Sequence, residues 1–237
     1  MNMLKAIVIG TLVCVAGVGC SKNKDDVVLN PAQAEVRTRL ESQMKAAAHT
    51  QETYHAMDNT ALLAKLMEQS KAKREPFNSP AYRELQARTN VDSKQLSTLI
   101  SENDDARALL PLLLLRKLDN KSYLQLPVEL RAHVLTEALQ ASTYFNAWGL
   151  PNFSLEDASH ALIETGRSAE PALKQMLSDT RPAPVFGSQE YMEYKKYQYR
   201  VCDYALLFLE LIKDNKATVR MPVSPAERDV MIKASAE

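Results

Sequence analysis

The chain has 237 residues, and its 29 lysine and arginine side chains balance 29 aspartate and glutamate side chains, so the formal net charge is zero. A neutral chain has neither the basic field that favours nucleic acid nor the acidic field that favours cations. Both partner classes are therefore disfavoured. The length is sufficient for one domain with a full core or for one elongated array.

Residues 1–19 have the layout of a signal peptide. Lys5 precedes an almost continuous apolar run from Ala6 to Val18, which ends among the small residues Gly17 and Gly19. As a helix, this run would rise about 20 Å, less than the ~30 Å hydrocarbon core of a bilayer, so a membrane-spanning segment is the weaker interpretation. We expect the segment to be removed.

Cys20 ends the sequence GVGC and directly precedes the polar stretch SKNKDD. A cysteine without apolar neighbours is a poor candidate for a buried thiol. The sequence GVGC resembles the lipobox of bacterial lipoproteins, which implies that Cys20 receives a diacylglyceryl group and becomes the new N-terminus. Lipoboxes usually have leucine three residues before the cysteine, where this chain has Gly17. Cleavage at an ordinary signal-peptide site nearby is therefore the alternative.

Lipidation at Cys20 implies that the N-terminal lipid anchors the protein in the cell membrane, because each CH₂ group of an acyl chain contributes about 0.8 kcal/mol when it is buried. Ser21, in place of an aspartate, resembles lipoproteins that are sent to the outer membrane. We therefore expect the outer membrane, facing the periplasm, if the source has two membranes. Cys14 leaves with the signal peptide and Cys20 carries the lipid, so Cys202 has no partner for an internal disulfide.

The rest of the chain predicts an all-α fold. Only Gly149, Gly166 and Gly187 follow residue 19, and the sequence has no Asn-Gly, Asp-Gly or Gly-Gly pair to turn a hairpin. Residues 20–30 read as a polar tether that leads to the first helix, where Asn30 and Pro31 form a cap and first-turn pair.

Two helices are predicted in the N-terminal region, residues 31–75. Apolar residues recur at helical spacing in each helix, and they are Val36, Leu40, Met44 and Ala47 in the first and Leu62, Leu63, Leu66 and Met67 in the second. The stretch REPFNSPAY contains two prolines and predicts a loop around residues 74–80. The helical body is expected to follow over residues 76–237.

The body begins with the apolar run from Ala108 to Leu115, which predicts a helix buried on all sides. A second helix with the sequence VELRAHVLTEALQA follows after the polar stretch NKSYLQLP, and together they predict an antiparallel helix pair. Further on, Gly149 is expected to end a helix. Ser154 and Asp157 stand at capping-box spacing and predict the start of the next.

Residues 105–213 resemble HEAT repeats, in which two helices form each unit of a stacked array. The residues that carry the resemblance in the clearer copy are Gly166, Pro171, Leu173, Leu177 and Asp179 in the first helix and Arg200, Val201, Ala205, Leu209 and Ile212 in the second. A fainter copy consists of Pro111, Leu118, Asp119, Arg131, Ala132, Ala138 and Leu139. The resemblance implies a HEAT-like helical repeat array, interrupted by an insertion at residues 180–198.

No catalytic, metal or cofactor site is predicted. The four histidines are His49, His55, His133 and His160, and no two of them stand at the i, i+4 spacing of a helical metal pair. The sequence has no glycine-rich phosphate loop and no Gly-x-Ser-x-Gly elbow. Cys202, inside RVCDYALLFLEL, is expected to be a buried small hydrophobe.

The insertion and the helix that follows it are rich in tyrosine, namely Tyr191, Tyr194, Tyr197, Tyr199 and Tyr204. Tyrosine is enriched at protein interfaces, and Tyr191 and Tyr194 are the predicted partner-binding residues. The alternative is that they pack the insertion onto the body. Tyr204 and an ion pair between Arg200 and Asp203 are expected to be structural.

The aromatic residues between the two repeat-like segments, Tyr144, Phe145, Trp148 and Phe153, predict a structural plug around a turn. Two function classes fit the sequence as a whole. The first is a lipid-anchored, non-catalytic helical adaptor that binds a protein partner at the bacterial cell envelope. The alternative is a lipoprotein that binds a small ligand or a cell-wall fragment, which would need a concave pocket with converging polar groups.

Overall fold

The structure is a computed structural model, and it describes residues 30–70, 79–213 and 219–236. The predicted signal peptide, Cys20 and nearly all of the tether lie outside these residues, as does most of the loop expected around residues 74–80. No helix among the described residues is long and apolar enough to cross a membrane.

The all-α prediction is confirmed. The helices of the described residues are α1 Pro31–Ala56, α2 Asn59–Ser70, α3 Pro80–Ala87, α4 Ser93–Glu102, α5 Leu109–Leu118, α6 Asn120–Gln125, α7 Val128–Ala141, α8 Asp157–Glu164, α9 Glu170–Met176, α10 Ser188–Tyr197, α11 Val201–Lys213 and α12 Pro225–Ala236. Short 3-10 helices precede α5 and α9. One small antiparallel hairpin joins β1 Gly149–Leu150 to β2 Ser154–Leu155.

The chain divides into two compact units between Ala46 and Ala47. The described part of the first unit is the N-terminal portion of α1. Its cap is as predicted: the Asn30 side chain accepts a hydrogen bond from the Gln33 N–H at 2.9 Å, and the Gln33 side chain accepts one from the Asn30 N–H.

The apolar stripe on α1 does not pack into a core. Val36, Leu40 and Met44 lie on one face of the helix, as their spacing predicts, yet 53–71% of each residue is exposed. No residue of α1 is buried. Helical spacing therefore identified the face correctly, although these three side chains are exposed.

The second unit contains the hydrophobic core, which is built around α5 and α11. Every residue of α5 from Leu109 to Leu115 is buried, which confirms the prediction of a helix surrounded by neighbours. α5 packs against α3, α4, α6, α7 and α8. In α11, all residues from Val201 to Leu209 are buried, and this helix packs against α8, α9 and α12.

The polar stretch between α5 and α7 is not a simple turn, because it forms the short helix α6. Asp119 begins α6, since its side chain accepts hydrogen bonds from the N–H and the hydroxyl of Ser122 at 3.1 and 2.6 Å. These hydrogen bonds to the charged form lower the pKa of Asp119 to about 2.

The helix boundaries expected near Gly149 were wrong. α7 already ends at Ala141, Gly149 lies in β1, and Ser154 lies in β2 rather than at a helix start. α8 begins after Glu156, whose side chain makes no capping hydrogen bond. Gly149 is needed in the hairpin because its φ is +75° and a Cβ there would lie 2.2 Å from the Ser154 carbonyl oxygen.

The helices that the HEAT resemblance pairs do touch each other: α5 packs against α7, and α9 against α11. The repeat arrangement itself stays a prediction. In the clearer copy, the first helix is divided, because Gly166 begins a 3-10 helix and α9 runs only from Glu170 to Met176.

Candidate functional site

The predicted insertion consists of an extended segment followed by α10. Residues 180–187 contain two prolines and cannot continue α9. The extended segment runs beside the residues that lead into α11, where the Ala183 N–H donates to the Tyr199 carbonyl at 2.9 Å and the Val201 N–H donates to the Arg181 carbonyl at 3.0 Å. Backbone hydrogen bonds therefore join the two ends of the insertion.

A second loop, residues 142–148, fixes the far end of the extended segment. The Phe145 N–H donates to the Pro184 carbonyl at 2.8 Å. The Asn146 side chain binds the backbone of Phe186 on both sides, because its oxygen accepts from the Phe186 N–H at 2.9 Å and its amide donates to the Phe186 carbonyl. Phe186 is thus presented on an anchored backbone.

Three aromatic rings meet on this surface. The ring centroids of Tyr144 and Phe186 are 5.2 Å apart in an edge-to-face arrangement, and those of Phe186 and Tyr191 are 6.5 Å apart and nearly parallel. Between 41 and 49% of each residue remains exposed. We call Tyr144, Phe186 and Tyr191 the aromatic patch. The Lys195 ammonium lies 4.8 Å from the Tyr191 ring centroid and adds a cation beside it.

The two tyrosines predicted to bind a partner occupy different environments. Tyr191 belongs to the aromatic patch, whereas Tyr194 is partly buried and packs against the core. Desolvation raises the pKa of Tyr194. Tyr191 is therefore accessible to a partner, whereas Tyr194 helps to pack α10 against the core.

The other tyrosines of the segment are buried. Tyr204 is fully buried and its hydroxyl donates to the Gly149 carbonyl at 2.6 Å, which confirms its predicted structural role. Tyr197 and Tyr199 stack on each other with ring centroids 5.0 Å apart. Cys202 is buried as predicted, and desolvation raises the pKa of its thiol to about 11.

The prediction that four aromatic residues form a structural plug was correct for two of them. Phe145 and Trp148 are fully buried, and the Trp148 indole donates to the Ser142 hydroxyl at 3.0 Å. Tyr144 and Phe153 are exposed by 42 and 48%. Sequence reasoning missed Tyr144 and Phe186 as members of a surface, because their contact joins residues that are far apart in the chain.

A partly buried ion network lies next to the end of the insertion. The predicted pair exists: the Arg200 guanidinium donates to both carboxylate oxygens of Asp203, at 2.9 and 3.2 Å. Arg200 also contacts Asp229 of α12 at 2.7 Å. Asp203 holds the pKa of Arg200 above its usual range through these hydrogen bonds.

Arg228 completes the network and was not predicted. It is fully buried, and its Nε lies 3.1 Å from an Asp203 carboxylate oxygen, an ion pair without hydrogen-bond alignment. The rest of its guanidinium donates to the carbonyls of Tyr197, Pro222 and Val223 at 2.7–2.9 Å. α12 is therefore fastened to the end of the insertion.

No group of three or more histidine, cysteine, aspartate or glutamate side chains that could hold a metal ion occurs in the described ranges. No protein-family model matches the chain, and no curated protein or solved structure is significantly similar to it. The functional interpretation therefore rests on the geometry of this molecule.

Proposed function

We propose that the protein is a lipid-anchored, non-catalytic scaffold that binds a protein partner at a bacterial cell envelope. Cys20 carries the lipid, and the membrane is the outer membrane, facing the periplasm, if the source has two membranes. The aromatic patch is the partner-binding surface, with Tyr191 as a contact residue and Tyr194 as its support on α10.

The observation that supports this proposal most directly is the exposure of three mutually contacting aromatic rings on an anchored surface. Large aromatic residues stabilise a fold mainly when they are buried, and clustered exposed ones commonly mark interaction sites. Three hydrogen bonds hold the backbone around Phe186, two from the Asn146 side chain and one from the Phe145 N–H to the Pro184 carbonyl, so the patch needs little ordering when a partner binds.

Binding measurements on patch variants test the proposal. Tyr191→Ala and Phe186→Ala together should weaken partner binding strongly, because aromatic anchors at an interface centre contribute on the order of 2 kcal/mol each, about thirty-fold in affinity per residue. The protein, tagged and with Cys20 intact, is used to isolate partners from detergent-solubilised membranes, and the affinity of each isolated partner is then measured for every variant.

Leu124→Ala is the matched control, because Leu124 on α6 is 56% exposed and lies outside the patch. We expect the control to bind as the unchanged protein does. The melting temperature should stay close to that of the unchanged protein in both variants. Partners that bind the double variant and the control equally well would contradict the proposal, and a double variant that melts many degrees lower would assign the rings to the fold.

A further inference from the structure

A pocket of about 580 Å³ lies beside the hairpin, away from the three rings of the aromatic patch. Its volume is in the range of small-molecule sites. It is lined by hairpin residues 150–155 and by His160, Tyr197, Leu207, Leu211, Val219 and Arg220.

The inner wall of the pocket is apolar. Leu150, Leu207 and Leu211 are at most 5% exposed, and Tyr197 is 9% exposed. Such a wall favours a hydrocarbon chain, which would gain roughly 25 cal/mol per Å² of apolar surface removed from water.

The walls are held in place without a ligand. Asn152, in the hairpin turn, donates to the Met221 carbonyl at 2.7 Å and accepts from the Met221 N–H at 2.8 Å. The same amide donates to the Tyr199 hydroxyl at 3.1 Å. Both sides of the pocket are thereby joined by hydrogen bonds, which reduces the ordering that binding requires.

The charged group of the pocket is Arg220, which is exposed and has no acidic partner among the described residues. This distinguishes it from Arg200 and Arg228, which both pair with Asp203. Among the described residues, no aspartate or glutamate lines the pocket, while the exposed His160 adds a further hydrogen-bonding group. A guanidinium without an acidic partner among the described residues matches a carboxylate, which it can bind through two parallel hydrogen bonds.

We propose that this pocket binds an amphiphile with one carboxylate, in the manner of a fatty acid. The hydrocarbon chain lies against Leu207 and Leu211, and the carboxylate lies at Arg220. This inference is independent of the lipid anchor and of the aromatic patch, so it stands or fails separately from the proposed function.

Calorimetric titration with dodecanoate below its micelle concentration tests the proposal. The full chain is used with Cys20→Ser, so that no attached lipid or detergent competes for the pocket. We expect saturable binding of one dodecanoate per chain. Dodecanol, which has the same chain without the charge, should bind about five- to tenfold more weakly, and dodecyltrimethylammonium more weakly still.

Two variants assign the binding to this pocket. Arg220→Gln should weaken dodecanoate binding about five- to tenfold and leave dodecanol binding unchanged, whereas Arg167→Gln, at a side chain that is 88% exposed elsewhere, should change neither. Val219→Trp should weaken both ligands, because the larger side chain fills the pocket. Melting temperatures verify that each variant is folded.

Three results would overturn the proposal. They are the absence of saturable dodecanoate binding, tighter binding of dodecanol or dodecyl phosphate than of dodecanoate, and equal effects of Arg220→Gln and Arg167→Gln.

Discussion

At the scale of single residues, Arg228 is expected to contribute strongly to stability. Arg228→Ala would leave Asp203, which is fully buried, with only Arg200 as its counter-charge, and would also strip three backbone carbonyls of their donor. Removing one partner of a buried ion pair costs about 3–5 kcal/mol. We expect the melting temperature to fall by about 10 °C.

Arg167→Ala serves as the control for Arg228→Ala, because the Arg167 side chain is 88% exposed and its nearest carboxylate is 3.9 Å away. Surface ion pairs of this kind contribute at most about 1 kcal/mol. If differential scanning calorimetry found equal shifts for the two variants, the ion network next to the end of the insertion would not stabilise the fold as described.

At the scale of elements, the hairpin depends on Gly149. Gly149→Ala should lower the free energy of unfolding by about 3 kcal/mol, because a Cβ would collide with the backbone of β2 and the φ of +75° would be strained. Gly166→Ala is the matched control: its φ is +56°, but a Cβ there meets no atom within 4 Å.

Urea denaturation of the two glycine variants distinguishes the cost of a steric clash of the Cβ from the cost of a positive φ. We expect Gly166→Ala to cost only the backbone penalty of about 1 kcal/mol. Equal costs for both substitutions would show that the close approach of β1 to β2 has no energetic consequence.

The start of α6 should make stability depend on acid pH. The pKa of Asp119 falls from about 3.9 in an unfolded chain to about 2 in the fold, so its contribution is fully present above about pH 4 and is lost as the pH falls through 2. Asp119→Asn retains a capping oxygen but cannot ionise. Its free energy of unfolding should therefore fall less between pH 4 and pH 2 than that of the unchanged protein.

Denaturant titrations at several pH values in this range measure the difference, with Asp104→Asn as the control at an exposed carboxylate. The control should follow the unchanged protein. Parallel curves for Asp119→Asn and the unchanged protein would contradict the assignment of the low pKa to this cap.

At the scale of the whole molecule, Cys20→Ser should release the protein from the membrane. The substitution removes the proposed attachment atom and lies upstream of the first described residue, Asn30. If the proposed acyl chains supply the anchoring free energy, the serine variant should appear in the soluble fraction after a salt wash. A variant that still sediments with membranes would contradict the lipid anchor and favour retention of the apolar N-terminus.

The sequence predicted the parts of the fold that depend on local composition. The leucines of α5 were assigned to the interior because a helix that is apolar all round has to be buried. The same reasoning placed Val36, Leu40 and Met44 on one face of α1, but spacing cannot say whether anything covers that face.

The candidate site was only partly predictable, since its contacts join distant segments. Tyr191 was found from the density of tyrosines, whereas Tyr144 and Phe186 come together through hydrogen bonds between residues 145–146 and residues 184–186. Burial of Arg228 was also beyond sequence reasoning, because arginine is seldom buried and its partner Asp203 lies 25 residues earlier. The hairpin was missed because its turn residues equally suit the end of one helix and the start of the next.

The burial of Asp203 by Arg228 also sets an order for events during synthesis. Arg228 follows nearly all of the described core residues in the chain. When α5 and α11 have been synthesised, the Asp203 carboxylate therefore still lacks one of its two arginine partners. The desolvation of Asp203 in α11 is therefore fully compensated only after α12 has left the ribosome.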